Sequence, residues 1–257
     1  MLERRSGSHG KAPEVRIGTS GWHYGGWWGP FYPEDVNKAD SLSYYASRFD
    51  AVELNAPFYR TPTANAVRRW FGATPDDFRF AWKASQFITH RKRLLVDDRS
   101  LDMLESGLDH LGHKLGPVLF QLPPTMKVDR ERLAGFLARL DPARRYTVEF
   151  RHPSWYDPAI FDLLEEHNVA LCISDHDAAP APWEVRADWV YIRNHGSSGH
   201  YHGNYSDDAL RGWASFIRKC SGDGRDVWCF FDNDVKSAAP VDARKLSVFV
   251  QEAKVAG

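Results

Sequence analysis

Cysteine is scarce in this sequence, and the scarcity removes several protein classes at once. Cys172, Cys220 and Cys229 are the full set in 257 residues. An odd count with no C-x-x-C spacing argues against a disulfide framework and against a zinc site. Long hydrophobic runs are also missing: no apolar stretch approaches the ~18 residues that a membrane helix takes, and the N-terminus lacks the apolar core of a signal peptide. A cytoplasmic protein with no membrane partner is therefore expected. Charge of one sign is lacking too. Lys and Arg number 33 against 34 Asp and Glu, a formal net charge of −1. No global field draws such a chain to nucleic acid or lipid, although a local basic pocket stays open. There is no nucleophile elbow, no P-loop and no Cys–His pair, which disfavours acyl transfer and nucleotide triphosphate hydrolysis. Internal repeats and low-complexity segments are absent as well.

What is present is a rhythm. Residues 1–13 are polar and read as a disordered tail; from residue 14 to 257 the chain reads as one domain. Eight short apolar runs end in polar residues, at 15–19, 49–55, 78–83, 117–122, 145–151, 169–175, 189–195 and 227–233. Segments with helical spacing lie between them. Leu42, Tyr45 and Ala46 form one apolar face, as do Leu101, Leu104 and Leu108, then Leu133, Phe136 and Leu137 after Asp129. Ile160, Leu163 and Leu164 follow Asp157-Pro158, an N-cap with Pro at the first helical position. Leu210, Trp213, Ala214 and Ile217 follow Ser206, and a last helix is expected from Asp242 to Lys254. The segment 176–187 has two prolines and no period, so the sixth helix should be short, irregular or missing. Eight alternations of strand and helix predict a single closed (β/α)8 TIM barrel of the α/β class, with a doubly wound open sheet as runner-up. The early glycines, Gly18 to Gly29, are interleaved with Trp and Tyr and precede no apolar helix, unlike a dinucleotide fingerprint.

In such a barrel the chemistry stands at the C-terminal strand ends. Those ends carry Thr19 and Ser20, Glu53 and Asn55, Lys83, Gln121, Glu149 and Arg151, Asp175, Arg193 and His195, then Asp232, Asn233 and Asp234. Strand alternation puts Glu53 with Asn55, Glu149 with Arg151, and Arg193 with His195 on shared faces. One such pair reads equally well as a structural ion pair. A recurrence on eight strands favours a common polar pocket.

The longer motifs resemble a known family. Ile17-Gly-Thr-Ser-Gly-Trp22, Val52-Glu-Leu-Asn55, Gly116-Pro-Val-Leu-Phe-Gln-Leu-Pro-Pro124, Val148-Glu-Phe-Arg-His-Pro-Ser-Trp155, Tyr191-Ile-Arg-Asn-His-Gly196 and Phe231-Asp-Asn-Asp234 are similar to the YecE-like family. These are bacterial and archaeal TIM barrels catalogued as a domain of unknown function. The resemblance spans nearly the whole chain and implies the fold, while leaving the reaction open. Where the family commonly reads Asn-Asn-Asp in the last strand, this chain has Asp232-Asn-Asp234, which adds a carboxylate.

Three chemistries fit these residues. In the first, Glu53 and Glu149 work as acid and base. Arg151, Arg193 and Lys83 bind an anionic, for example phosphorylated, small substrate, with no cofactor. His195 carries a proton, and Asp175 orients it. Asn55, Gln121, Asn233, Trp22 and Tyr59 would complete the substrate contacts of this hydrolase or isomerase. The second is a divalent-metal isomerase, epimerase or endonuclease-like barrel, with Glu149, Asp175, His195 and Asp232 as ligands in an order similar to xylose-isomerase-like epimerases. Arg151 and Arg193 count against that cation. The third is a non-catalytic binder of a small ligand, stacking on the aromatic first loop, or of nucleic acid gripped by the basic cluster Thr89–Arg93. The loop 195–203, rich in Gly, Ser and His, reads either as a lid or as an ordinary mobile loop.

Overall fold

A computed structural model of the chain describes residues 12–252. Eight parallel strands close into a barrel in sequence order. They are β1 (Val15–Ser20), β2 (Ala51–Leu54), β3 (Arg79–Lys83), β4 (Leu115–Gln121), β5 (Tyr146–Glu149), β6 (Ala170–Ser174), β7 (Trp189–Asn194) and β8 (Asp226–Phe231). The closing ladder pairs β1 with β8 from Val15↔Val227 to Thr19↔Phe231. The expected (β/α)8 barrel is thus present. Several ladders stop one or two residues short of the runs read from sequence, which leaves Asn55, Arg151, His195 and Asp232 just beyond the strand ends.

Around the barrel lie α1 (Ser41–Ala46), the single turn α2 (Ala56–Tyr59), α3 (Ala64–Gly72), α4 (Asp98–Asp109), α5 (Arg130–Leu137), α6 (Pro158–Glu166), α7 (Asp207–Gly222) and α8 (Ala238–Glu252). The caps act as their residue types suggest. Asp129, Asp157 and Ser206 accept from the backbone N–H of Arg132, Ala159 and Ala209 at 3.0, 2.9 and 3.2 Å. No helix is assigned between β6 and β7, as the prolines of 176–187 lead one to expect. Sequence periodicity misses α3, whose only fully buried side chain is Val67. The last helix begins at Ala238 rather than Asp242, and residues 253–254 of its expected span lie outside the described residues. So do residues 1–11 of the expected tail; Ala12 and Pro13 lead into β1 without regular structure.

Two apolar clusters hold the molecule. The larger one packs helices against the outer face of the sheet. The smaller one contains Ala51, Ala81, Leu119, Ala170, Cys172, Tyr191, Trp228 and Phe230, which alternate with the first set along the strands and therefore fill the barrel interior. β1 comes close enough to β2 that a Cβ on Gly18 would sit 2.1 Å from the Ala51 carbonyl oxygen, so only glycine fits there.

Candidate functional site

One step of two residues beyond that interior layer, every strand contributes a polar side chain: Ser20, Glu53, Lys83, Gln121, Glu149, Ser174, Arg193 and Asp232. Most of this layer is buried. Burial of so many polar groups is tolerable only if they satisfy one another, and they do so around Arg193.

The Arg193 guanidinium is fully enclosed. Its Nε meets Glu53 Oε2 at 3.0 Å, and one terminal nitrogen donates to Glu53 Oε1 at 2.8 Å and Asp232 Oδ2 at 2.7 Å. The other terminal nitrogen donates to Glu149 Oε2 at 2.8 Å and lies 3.2 Å from His195 Nε2. Arg151 takes the remaining oxygen of Glu149 at 2.6 Å, reaches the same His195 Nε2 at 2.9 Å, and donates to the Tyr201 hydroxyl at 3.1 Å. A guanidinium only donates, so the hydrogen-bond network assigns the His195 lone pair to Nε2 and its hydrogen to Nδ1. Nδ1 faces Asp175 Oδ1 at 3.3 Å. Asp175 also accepts from the His195 backbone N–H at 2.7 Å and from the Tyr205 hydroxyl.

Burial alone pushes Glu53 and Glu149 up. The guanidiniums outweigh it, Arg193 acting on Glu53 and both arginines on Glu149, and they hold both carboxyls below the usual range. Tyr191 and Ser20 add hydroxyl donors to Glu53, each at 2.7 Å. Three cations, Arg151, Arg193 and Lys83, face three carboxylates, Glu53, Glu149 and Asp232. Formal charges in the layer therefore balance, and Lys83 is the cation that no carboxylate contacts directly.

Lys83 stands apart from this pairing. It is 8% exposed, its Nζ lies 4.5 Å from the Phe58 ring centroid, and it makes no hydrogen bond or ion pair within 4 Å among the described residues. Burial and the charge of Arg193 bring its ammonium from 10.5 down to about 8. It faces a cavity of about 760 Å³ whose wall includes Trp22, Tyr24, Asn55, Tyr59, Gln121 and Asp232. Asn55 belongs to that wall although its Oδ1 is enclosed by protein without a partner, and Asp232 keeps Oδ1 free of Arg193.

Residues 16–256 match the family described as Protein of unknown function DUF72. The chain belongs to this family. The DUF72 assignment agrees with the resemblance read from the motifs. UPF0759 protein YunF of Bacillus subtilis strain 168 is 30% identical over 253 residues, covering 86% of this chain and 89% of YunF. UPF0759 protein YecE of Escherichia coli K12 is 34% identical over 117 residues, 45% of this chain and 43% of YecE. The crystal structure of a DUF72 protein from Thermotoga maritima MSB8 superposes with a TM-score of 0.80 at 25% identity, over 93% of this chain and all of that one.

On this DUF72 barrel the residues singled out from sequence fall into two groups. Glu53, Glu149, Arg151, Arg193, His195 and Asp175 form the bonded layer beneath the mouth. Lys83, Asn55, Gln121, Trp22 and Tyr59 line the cavity above it, and Asp232 belongs to both. Asn233 belongs to neither: it turns away and donates to the Gly203 carbonyl and to Asp242 at 2.9 and 2.8 Å. On β6 the inward residue is Ser174, which donates to Glu149 at 3.1 Å, with Asp175 one step past it. Tyr191 was readable, because it stands two residues before Arg193 on the same face. Tyr201, Tyr205 and His90 carried no periodic signal. The metal set Glu149, Asp175, His195 and Asp232 does not fit a cation, since guanidinium nitrogens stand between Glu149 and Asp232. Among the described residues no three His, Cys, Asp or Glu side chains converge as a metal-holding group. In the basic cluster Arg91, Lys92 and Arg93 are exposed and Thr89 is buried. No helix of the described residues is long and apolar enough to cross a membrane.

Proposed function

We propose that this protein is an enzyme of the isomerase class, moving a proton next to the carbonyl of a small anionic substrate held at the C-terminal mouth of the barrel. The observation that carries this reading is Lys83, a nearly buried ammonium without an acceptor that faces the cavity. An anionic or carbonyl oxygen of a substrate supplies the missing acceptor. Asp232 Oδ1, which Arg193 leaves free, stands on the same wall as the proton acceptor. Trp22 and Tyr59 offer the apolar face of a sugar a surface to lie on.

Hydrolysis by paired carboxylates fits less well. That chemistry needs one carboxyl protonated near neutral pH so that it can donate to a leaving group. Glu53 and Glu149 are both held in the opposite sense. Their part is to fix Arg193, which in turn holds Asp232. Lys83, at about 8, changes protonation in the working range instead.

The test is proton exchange. Triose to hexose phosphates, as aldoses and ketoses, are incubated with the protein in D2O and followed by NMR. Solvent deuterium should enter at the carbon beside the carbonyl of at least one sugar, and Asp232→Asn should abolish it. Sugars that bind and return intact without deuterium would make the protein a binder rather than an isomerase.

A further inference from the structure

Two lysines are buried among the described residues, and they are built differently. Lys114, 3% exposed, has its ammonium caged by the Phe71 carbonyl at 2.7 Å, the Thr74 carbonyl at 2.8 Å and the Thr74 hydroxyl at 3.2 Å. All three of its hydrogens have an acceptor, which is what a structural ammonium needs. Lys83 is comparably buried yet has none of these. An ammonium left so is disfavoured relative to the free amine, because desolvation penalises the charge and outweighs the more distant carboxylates Asp232, Glu53 and Glu149. The nearby Arg193 guanidinium acts in the same direction. A lysine that is desolvated, close to a second cation and open to a cavity on its reactive side is the arrangement that makes an amine nucleophilic.

We infer that Lys83 forms an imine with the carbonyl carbon of the substrate that occupies the β3–β8 side of the mouth. The Nζ lone pair adds to the carbonyl carbon as the C=O π pair moves to oxygen. One proton then passes from nitrogen to that oxygen and gives a carbinolamine. Loss of its hydroxyl with a further proton expels water and leaves a C=N bond. Amine and carbonyl become imine and water, with nothing oxidised or reduced. Asp232, the carboxylate whose field acts most on Lys83, lines the same cavity with Oδ1 available to relay these protons. The Phe58 ring lies 4.5 Å from the Lys83 ammonium and gives that side of it an apolar neighbour. A protonated imine also withdraws electrons from the neighbouring C–H bond. The inference thus deepens the proposed proton transfer and rests on it only for the position of the substrate.

The experiment is reductive trapping. The full chain is incubated with glyoxylate, pyruvate or dihydroxyacetone phosphate, reduced with sodium borohydride, digested and mapped by mass spectrometry. The Lys83 peptide should gain the mass of a probe less one oxygen, with labelling at least about tenfold above the average exposed lysine. The Lys114 peptide should stay unlabelled, and Lys83→Met should lose the adduct while keeping a cooperative melt. Lys83→Arg, which keeps the charge, should lose it as well. A wild-type Lys83 peptide labelled no more than exposed lysines with all three probes overturns the inference. Deuterium exchange without a Lys83 adduct would sink the imine and leave the isomerase standing; an adduct without exchange would do the reverse.

Discussion

Arg193 has five N–H hydrogens, and the protein offers each an acceptor: one on Nε for Glu53, two for Glu149 and His195, two for Glu53 and Asp232. Removing the guanidinium leaves three carboxylates facing one another out of water. Arg193→Ala is expected to lower stability by about 3–5 kcal/mol. Arg193→Lys should recover little of it, since a single ammonium cannot bridge three carboxylates. Urea unfolding reads both, and a loss below about 1 kcal/mol for Arg193→Ala would show the layer to be weakly coupled. The same pairing fixes the acid limb. Between the lowered folded values of Glu53 and Glu149 and their ordinary 4.5, the unfolded chain binds more protons than the folded one. Stability therefore rises with pH in that window and is lost as pH falls below 4.5. Lys83 acts at the other end of the scale. Its fall from 10.5 to about 8 means that burying it charged costs roughly 3 kcal/mol at neutral pH. Lys83→Met should therefore stabilise the protein near pH 7, and the advantage should shrink as pH rises from 8 to 10.5, where the wild-type amine is already neutral. An unchanged or lower melting temperature for Lys83→Met at pH 7 would contradict this.

Among the elements, the segment from Gly196 to Tyr205 is tied down more firmly than its Gly, Ser and His content suggests. Asp242, near the start of α8, accepts from Asn204 Nδ2 at 3.1 Å, from the Tyr205 backbone N–H at 3.2 Å and from Asn233 Nδ2 at 2.8 Å. The Tyr205 hydroxyl in turn accepts from the Gly196 N–H at 2.7 Å. Asp242→Ala should leave those donors without a buried acceptor, at about 1–3 kcal/mol. Amide exchange should speed up at Gly196 and Tyr205 while the β-strand amides keep their protection; unchanged exchange there would mean that other contacts hold the loop. None of this clasp was legible in sequence. Asp242 reads as a helix start, and its partners lie 9 to 38 residues away. Local patterns were legible where one residue's environment is set by its own strand or turn. Glu53, Lys83, Glu149 and Arg193 follow from period two and a polar end. The same rule gave Asp175 in place of Ser174 because alternation holds only while the chain stays in its ladder, and β6 ends at Ser174. α3 escaped because one buried valine makes no stripe. Which cation meets which carboxylate depends on the radial order of strands, and no window of sequence contains that order.

At the scale of the whole molecule, the site exists only when the barrel is closed. β8 lies between β7 and β1 and completes both ladders. Asp232, just past its end, accepts from Arg193 of β7 and lines the same cavity as Lys83 of β3. The loops repeat the closure above the sheet. Trp27, wholly buried, donates from Nε1 to the Asp234 carbonyl at 3.2 Å, and Ser237 donates to the Gly26 carbonyl at 2.9 Å, so the first loop of the barrel is latched to the last. A chain ending at residue 222 would keep seven strands and most of the interior apolar layer. It would nevertheless expose the edges of β1 and β7, strip Arg193 of one carboxylate and uncover Trp27. Open parallel edges and a half-satisfied buried ion cluster each oppose a stable monomer. That fragment is expected to show no near-UV circular dichroism, no cooperative melt and concentration-dependent aggregation. Adding residues 223–257 as a separate peptide should restore part of the near-UV signal if closure is the missing step. A fragment that melts cooperatively on its own would show instead that the seven-stranded core folds first and that β8 serves the site alone.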